Sequence, residues 1–165
     1  MKNIIIASTS TVHGSEYLEY LLDELSVFFK EVNTILFIPY ARPSGMSHDA
    51  YTEKVKEAFS KIKKTVTGIH NFENPVLAVE KAEAIFVGGG NTFVLLNQLY
   101  KHNLLSVLKE TVNKGTPYLG TSAGSNICGL TIKNTNDMPI IYPPNFKALG
   151  LVSFNLNPHY LDPDA

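Results

Sequence analysis

Gly120-Thr121-Ser122-Ala123-Gly124 spells G-x-S-x-G, the pattern of a sharp strand-to-helix turn that holds a serine hydroxyl above the edge of a sheet. Glycines flank the serine because side chains there would collide with the neighbouring strand and helix. A helix from Ala123 to about Cys128 would bring its free N–H groups and positive dipole end to a developing oxyanion. The hydroxyl is a weak nucleophile until a base takes its proton, so this chemistry needs a histidine in reach and a third group to orient it. A small-residue turn that simply follows a strand spells the same five letters, and the rest of the chain has to decide.

Five histidines compete for the base. His13 and His48 fall near expected helix starts and His102 between two helices, where solvated loop or cap positions are the ordinary reading. His70 ends an expected strand without a supporting motif. His159 follows Asn157-Pro158, where proline stiffens the backbone that would present the ring, and it is the chosen base. Asp137, in the polar stretch Asn134-Thr135-Asn136-Asp137-Met138-Pro139, lies between Ser122 and His159 and is the candidate acid; an aspartate stabilising its own turn is the competing reading. The order Ser, Asp, His is shared with α/β-hydrolases, but the span from Ser122 to His159 is too short for the later strands that carry acid and base there.

A second glycine turn, Gly88-Gly89-Gly90-Asn91-Thr92, follows an apolar run. As a phosphate cradle it lacks both the G-x-G-x-x-G spacing and a P-loop lysine. As bare backbone close to Ser122 it could supply the second oxyanion donor beside Ala123. Two glycine-rich turns at the carboxyl ends of strands then form one site, where open α/β sheets bind ligands.

These turns need strands to carry them. Ile4-Ile5-Ile6, Thr34 to Ile38, Thr65 to Ile69 and Ala84 to Val87 are short apolar or β-branched runs, and Pro117 to Gly120 leads into Ser122. Between them lie helical spacings: Leu18 to Phe29 after Gly14-Ser15, Tyr51 to Ile62 after a Ser47 cap, a start at Asn74-Pro75, Phe93 to Leu99, and about Leu104 to Val112. Strands buried on both faces, each followed by a helix, predict an α/β three-layer sandwich with a mostly parallel central sheet. Beyond Gly129 prolines break the pattern, and Leu149 to Leu156 is the one stretch that could still pair in a sheet.

The 165 residues suit one globular domain, with 44% hydrophobic and 18% charged residues and a formal net charge of -1. That balance offers no footprint for nucleic acid or an anionic membrane and favours small-molecule chemistry. A single cysteine, Cys128, rules out an internal disulfide. The apolar stretch Ile4 to Ala7 is too short for a signal peptide or a membrane span, so a cytoplasmic location is expected.

Phe86-Val87-Gly88-Gly89-Gly90-Asn91-Thr92-Phe93, Gly120-Thr121-Ser122-Ala123-Gly124-Ser125-Asn126, Thr135-Asn136-Asp137-Met138-Pro139-Ile140 and Asn157-Pro158-His159, in that order, resemble peptidase E, the family of α-aspartyl dipeptidases that cleave Asp-X dipeptides. The resemblance runs from the first strand to the end of the chain. It implies a class I glutamine-amidotransferase-like (flavodoxin-like) sandwich, Ser122 as nucleophile, His159 as general base, Asp137 as charge relay, and no metal or organic cofactor.

The expected reaction is hydrolysis of dipeptides with an N-terminal aspartyl residue through an acyl-enzyme, with Gly88, Gly89, Gly90, Asn91 and Ala123 as the oxyanion and substrate-binding group. The alternatives are a cyanophycinase-like peptidase and a non-catalytic truncated binding module; amidotransferase chemistry would need cysteine at position 122. Family members continue past the Asn-Pro-His motif, so residues 1–165 are expected to form a single domain without the family's C-terminal segment, with a second fragment of the same protein as one partner to consider. A monomer or homodimer acting on small peptides, without nucleic acid or membrane, completes the expectation.

Overall fold

The computed structural model describes residues 1–42 and 45–159. Five strands, β1 (Ile4–Ala7), β2 (Thr34–Ile38), β3 (Thr65–Gly68), β4 (Ile85–Val87) and β5 (Tyr118–Thr121), form one sheet in the order β1-β5-β4-β2-β3. Every pairing is parallel, with Ile4 opposite Tyr118, Leu36 opposite Ile85 and Phe86 opposite Leu119. A parallel strand must return to the same edge before the next begins. The helices that do this are α1 (Leu22–Phe28), α2 (His48–Ser60), α3 (Pro75–Glu80), α4 (Thr92–Lys101), α5 (Leu104–Asn113) and the short α6 (Ala123–Asn126).

Alternation along the strands splits the core into two layers. Ile35 and Phe37 of β2, with Phe86 and Leu119, pack against Leu25, Tyr51, Val55 and Phe59 of α1 and α2. Leu36 and Ile38, with Ile85, Val87 and Tyr118, pack on the opposite face against Leu95, Leu99, Leu108 and Ile127. Helices on both faces of a parallel sheet make the α/β three-layer sandwich that the buried apolar runs predict. The caps follow local chemistry as well: Ser47, Asn74 and Asn91 each accept a hydrogen bond from the backbone N–H three residues on.

Two expectations shift. The first helix begins at Leu22, because Leu18 adopts a left-handed φ of 59° and Glu19–Leu21 form a 3-10 turn. Leu149 to Leu156 do not form a strand. Gly150, at φ 59°, bends that stretch back onto the end of α6, where the N–H groups of Leu149, Gly150 and Leu151 donate to the carbonyls of Ile127, Gly129 and Cys128. Those carbonyls need donors once α6 stops, and a turn supplies them better than an edge strand would.

Candidate active site

Ser122 sits where β5 ends and α6 begins, with φ 51° and ψ −110°. A non-glycine residue in so sparsely populated a region costs roughly 1–3 kcal/mol and persists only where its surroundings over-determine it. They do so here. The Ser122 N–H extends the sheet by donating to Ala7 O at 3.1 Å, and the Ser125 hydroxyl lies 2.6 Å from Ala7 O and 2.8 Å from Gly120 O. The flanking glycines are dictated by contact: a β-carbon on Gly124 would stand 2.1 Å from Val87 O, and one on Gly120 2.5 Å from Gly124 O.

His159 reaches this turn from far along the chain, its Nε2 2.8 Å from Ser122 Oγ. With Nε2 accepting the hydroxyl proton, the neutral ring carries its own proton on Nδ1. The His159 backbone, at φ 61°, is held by its N–H donating to Ser8 Oγ at 2.8 Å, just beyond β1. The approach to it is pinned by Asn134 Nδ2 donating to Leu156 O, and by Asn155, whose Oδ1 accepts from Thr131 N–H and whose Nδ2 donates to Thr131 Oγ1.

Asp137 lines the cavities around Ser122 and His159, but its Oδ2 accepts from the Thr92 N–H at 2.7 Å, at the start of α4. Among the described residues it makes no hydrogen bond to His159. Asn91 is also committed: its Oδ1 accepts from Val94 N–H at 3.1 Å and its Nδ2 donates to Met138 O at 2.8 Å. Asn91 and Asp137 therefore fasten the glycine turn to the loop at 134–139, which puts Asn91 in a structural position.

Of the second glycine turn, Gly88 donates its N–H to Ile38 O at 3.3 Å, continuing the sheet. The N–H groups of Gly89 and Gly90 find no acceptor among the described residues, nor does that of Ala123 at the first position of α6. Gly89 faces Ser122 so closely that a β-carbon would stand 3.0 Å from Ser122 Cβ. Its carbonyl accepts at 3.2 Å from the hydroxyl of Tyr51, which in turn accepts from Tyr17 OH at 3.3 Å. Burial pushes the Tyr17 phenol well above its ordinary value, so it stays protonated and donates. The two polar groups of one peptide point in opposite directions, so tying down Gly89 O also fixes where the Gly90 N–H points.

Sequence reasoning placed Tyr51 only in the core; its hydroxyl carries no local signal. Ser8 drew no notice in the sequence, and Asn126 entered only as the last residue of a motif; it is buried, one helical turn beyond Ser122, and its Oδ1 has no partner among the described residues. Asn126 lines a cavity of about 50 Å3 together with Ser122, Asp137 and His159. A second cavity, about 260 Å3, opens at the same serine and histidine and is lined by Arg42, Gly89 and Gly90. A larger one, about 580 Å3, bounded by Leu36, Phe72 and Leu77, contains no residue of this site.

The other histidines stay out of these cavities. His48 and His102 pack on Tyr40 with ring centroids 5.3 and 5.1 Å away, and His70 Nε2 lies 2.8 Å from Asp49 Oδ1. His13 is exposed. Cys128, beneath the elbow, points its thiol at Gly124 O at 3.4 Å, and burial raises its pKa to about 12. Among the described residues no helix is long and apolar enough to cross a membrane.

Comparison with known proteins places this chain. Residues 4–165 match the family model described as peptidase family S51. A Drosophila melanogaster protein described as a "probable alpha-aspartyl dipeptidase" is 48% identical over 99% of this chain and 68% of its own length. Peptidase E of Shewanella denitrificans is 48% identical over 96% of this chain and 67% of its own, and that of Streptomyces coelicolor 44% identical over 98% and 65%. The chain thus spans about two thirds of the length of these relatives. Among solved structures, a Listeria monocytogenes protein described as peptidase E superposes with a TM-score of 0.71 at 27% identity, covering 94% of this chain and 77% of that one. A peptidase from an acI-B1 actinobacterium shares the fold, with a TM-score of 0.63 at 18% identity over 81% of this chain and 59% of that one. The match over all but the first three residues, and near-half identity to relatives along almost the whole chain, make this protein a member of peptidase family S51.

Proposed function

We propose that the chain is a serine dipeptidase acting on peptides with an N-terminal aspartyl residue, with Ser122 as nucleophile and His159 as general base. The observation that carries the reading is the 2.8 Å approach of His159 Nε2 to the hydroxyl of a serine held at φ 51°. That approach is within the reach a general base needs, and the backbone conformation lifts the hydroxyl off the sheet.

In this mechanism His159 takes the Ser122 proton as Oγ attacks the aspartyl carbonyl carbon. The tetrahedral oxyanion accepts from the Ala123 N–H and from the Gly89–Gly90 side, where the donors have no other partner among the described residues. Collapse breaks the C–N bond, and His159 returns the proton to the departing amine. Water then attacks the acyl-enzyme by the same relay and releases aspartate. Asp137 acts as the acid of the site through its charge on the imidazolium, across the cavity they share, while Thr92 holds its Oδ2. Residues 1–165 belong to one domain, and the substrate is a small peptide. A cytoplasmic home fits a chain whose single cysteine leaves no disulfide to form.

Incubation with a fluorophosphonate, followed by peptide mapping, should place the adduct on Ser122, and the protein should hydrolyse Asp-Leu. Folded protein that resists labelling, or a Ser122→Ala variant that still cleaves Asp-Leu, would remove the reading.

A further inference from the structure

The reaction proposed above needs more than a nucleophile and a base, because an Asp-X dipeptide brings two carboxylates into the site. One is the aspartyl side chain and the other the C-terminus of the leaving residue. Each lies three bonds from the carbon that Ser122 attacks, so a cation adjoining the Ser122–His159 pair is within reach of either.

Arg42 is placed for this. It follows β2, and its neighbour Ala41 is locked against the second glycine turn: Asn91 N–H donates to Ala41 O at 2.7 Å, and a β-carbon at Gly90 would stand 2.2 Å from that oxygen. Gly90 also has a φ of 147°, which a side chain rarely adopts. The backbone at position 42 is therefore docked beside the turn that faces the nucleophile. The guanidinium lies over the Tyr51 ring, 4.8 Å from its centroid, and the side chain lines the cavity of about 260 Å3 that contains Ser122 and His159.

What marks the residue is that it is unspent. Its Nε is buried with no acceptor among the described residues, and no described carboxylate lies within ion-pair distance, since the described pairs are made by Lys30, Lys56, Lys61 and His70. Asp137 borders the same cavity but gives its Oδ2 to Thr92. A buried guanidinium donor without a partner is costly unless a ligand supplies one, and the planar fork of arginine matches a carboxylate with two parallel hydrogen bonds. Stacking on Tyr51 restricts the fork before the ligand arrives, which lowers the ordering cost of binding.

We propose that Arg42 is the carboxylate anchor of the substrate site, set on Tyr51 so that a carboxylate of the dipeptide bonds to its guanidinium while the scissile carbonyl meets Ser122. This rests on the reading of Ser122 and His159 as a peptidase pair, and the two can fail separately.

The test compares wild type with Arg42→Gln and Arg42→Lys, by Asp-Leu turnover and by the concentration of free L-aspartate that protects Ser122 from a fluorophosphonate. Labelling without aspartate reports whether the serine–histidine pair is assembled. Loss of a charge-assisted carboxylate contact should raise KM for Asp-Leu by about tenfold or more in Arg42→Gln, with kcat falling less, and should raise the protecting concentration of aspartate as much where the contact is to the aspartyl side chain. Arg42→Lys, which keeps the charge but not the fork, should lie between, and it carries the test if the glutamine variant fails to label. Asparagine and Asp-leucinamide separate the two carboxylates. If Arg42 holds the side chain, aspartate protects the wild type far better than asparagine and Arg42→Gln erases the difference. If it holds the C-terminus, the KM of Asp-Leu rises and that of Asp-leucinamide does not. Values for both variants within about twofold of wild type would overturn the assignment. A wild type that labels and is protected but cleaves no Asp-X dipeptide would instead overturn the proposed function and leave Arg42 as a carboxylate site.

Discussion

Replacing Tyr51 by Phe removes one oxygen atom from the protein and should damage both stability and turnover by separable amounts. The ring itself would stay, fully buried and edge-on to Phe37 at 4.9 Å between centroids. Two groups lose a partner: Tyr17 OH its acceptor and Gly89 O its donor. Each buried polar group left unpaired costs about 1–3 kcal/mol. These bonds are long, at 3.3 and 3.2 Å, so the lower half of that range applies and the total is about 2–4 kcal/mol. For a domain of this size each kcal/mol lowers Tm by about 2–4 °C, which makes the expected drop about 5–15 °C. The Gly89–Gly90 peptide also loses the tether that aims the Gly90 N–H. Deleting an oxyanion donor outright costs about a hundred- to a thousandfold in kcat; a donor that is loosened rather than deleted should cost about ten- to a hundredfold. Thermal melts and Asp-Leu kinetics, the latter well below the variant's Tm, measure the two effects. A variant that loses Tm but keeps kcat within about twofold would refute the claim that this hydroxyl sets the oxyanion peptide.

Other perturbations test other parts of the site. His159→Ala should cut Asp-Leu turnover by about four to six orders of magnitude while leaving the melting curve close to wild type, as befits an exposed side chain; residual activity within tenfold would reassign the base. Asp137→Asn keeps an oxygen for the Thr92 N–H but removes the charge, so Tm should fall by no more than a few degrees and kcat by about ten- to a hundredfold. An unchanged kcat would reduce Asp137 to a helix cap. Stability should also decline as the pH falls below about 6.5. Burial first, then the neighbouring His70 and, less strongly, His102, hold His48 below its ordinary value of 6.5 against the opposing pull of Asp49. The unfolded chain therefore takes up that proton more readily, and stability present above 6.5 is lost on acidification. In His48→Gln the fall in Tm from pH 8 to pH 5 should be shallower, and parallel curves would sink the argument.

Much of the fold was legible because parallel strands buried on both faces read as unbroken apolar runs. Thr34 to Ile38 appears with the same limits in sequence and structure, and the elbow announces itself through its two glycines. Local reading failed where a distant partner decides. Leu149 to Leu156 has strand-like residues, but the carbonyls at the end of α6 compete for its N–H groups. From local chemistry His159 could be preferred over four rivals only through its Pro158 neighbour, with the family resemblance as the other ground, since the bond that seats it comes from Ser8, 151 positions away. Tyr51 and Gly89 are 38 positions apart, and nothing in a helical spacing says that a core tyrosine will aim its hydroxyl at a glycine turn beside Ser122. Arg42 was invisible for a related reason: a cation without a partner among the described residues is recognised by what fails to surround it, and only a three-dimensional arrangement records that.

The thiol beneath the elbow has a practical use. Cys128 is buried, the only cysteine in the chain, and holds its proton up to a pH of about 12, so alkylating reagents and disulfide exchange pass it by at neutral pH. A Ser122→Cys exchange would thus give the molecule one addressable sulfur. A fluorophore, a spin label or a slowly hydrolysed thioester could be attached at position 122 with no background from elsewhere in these residues, and the sequence needs no second change to permit it.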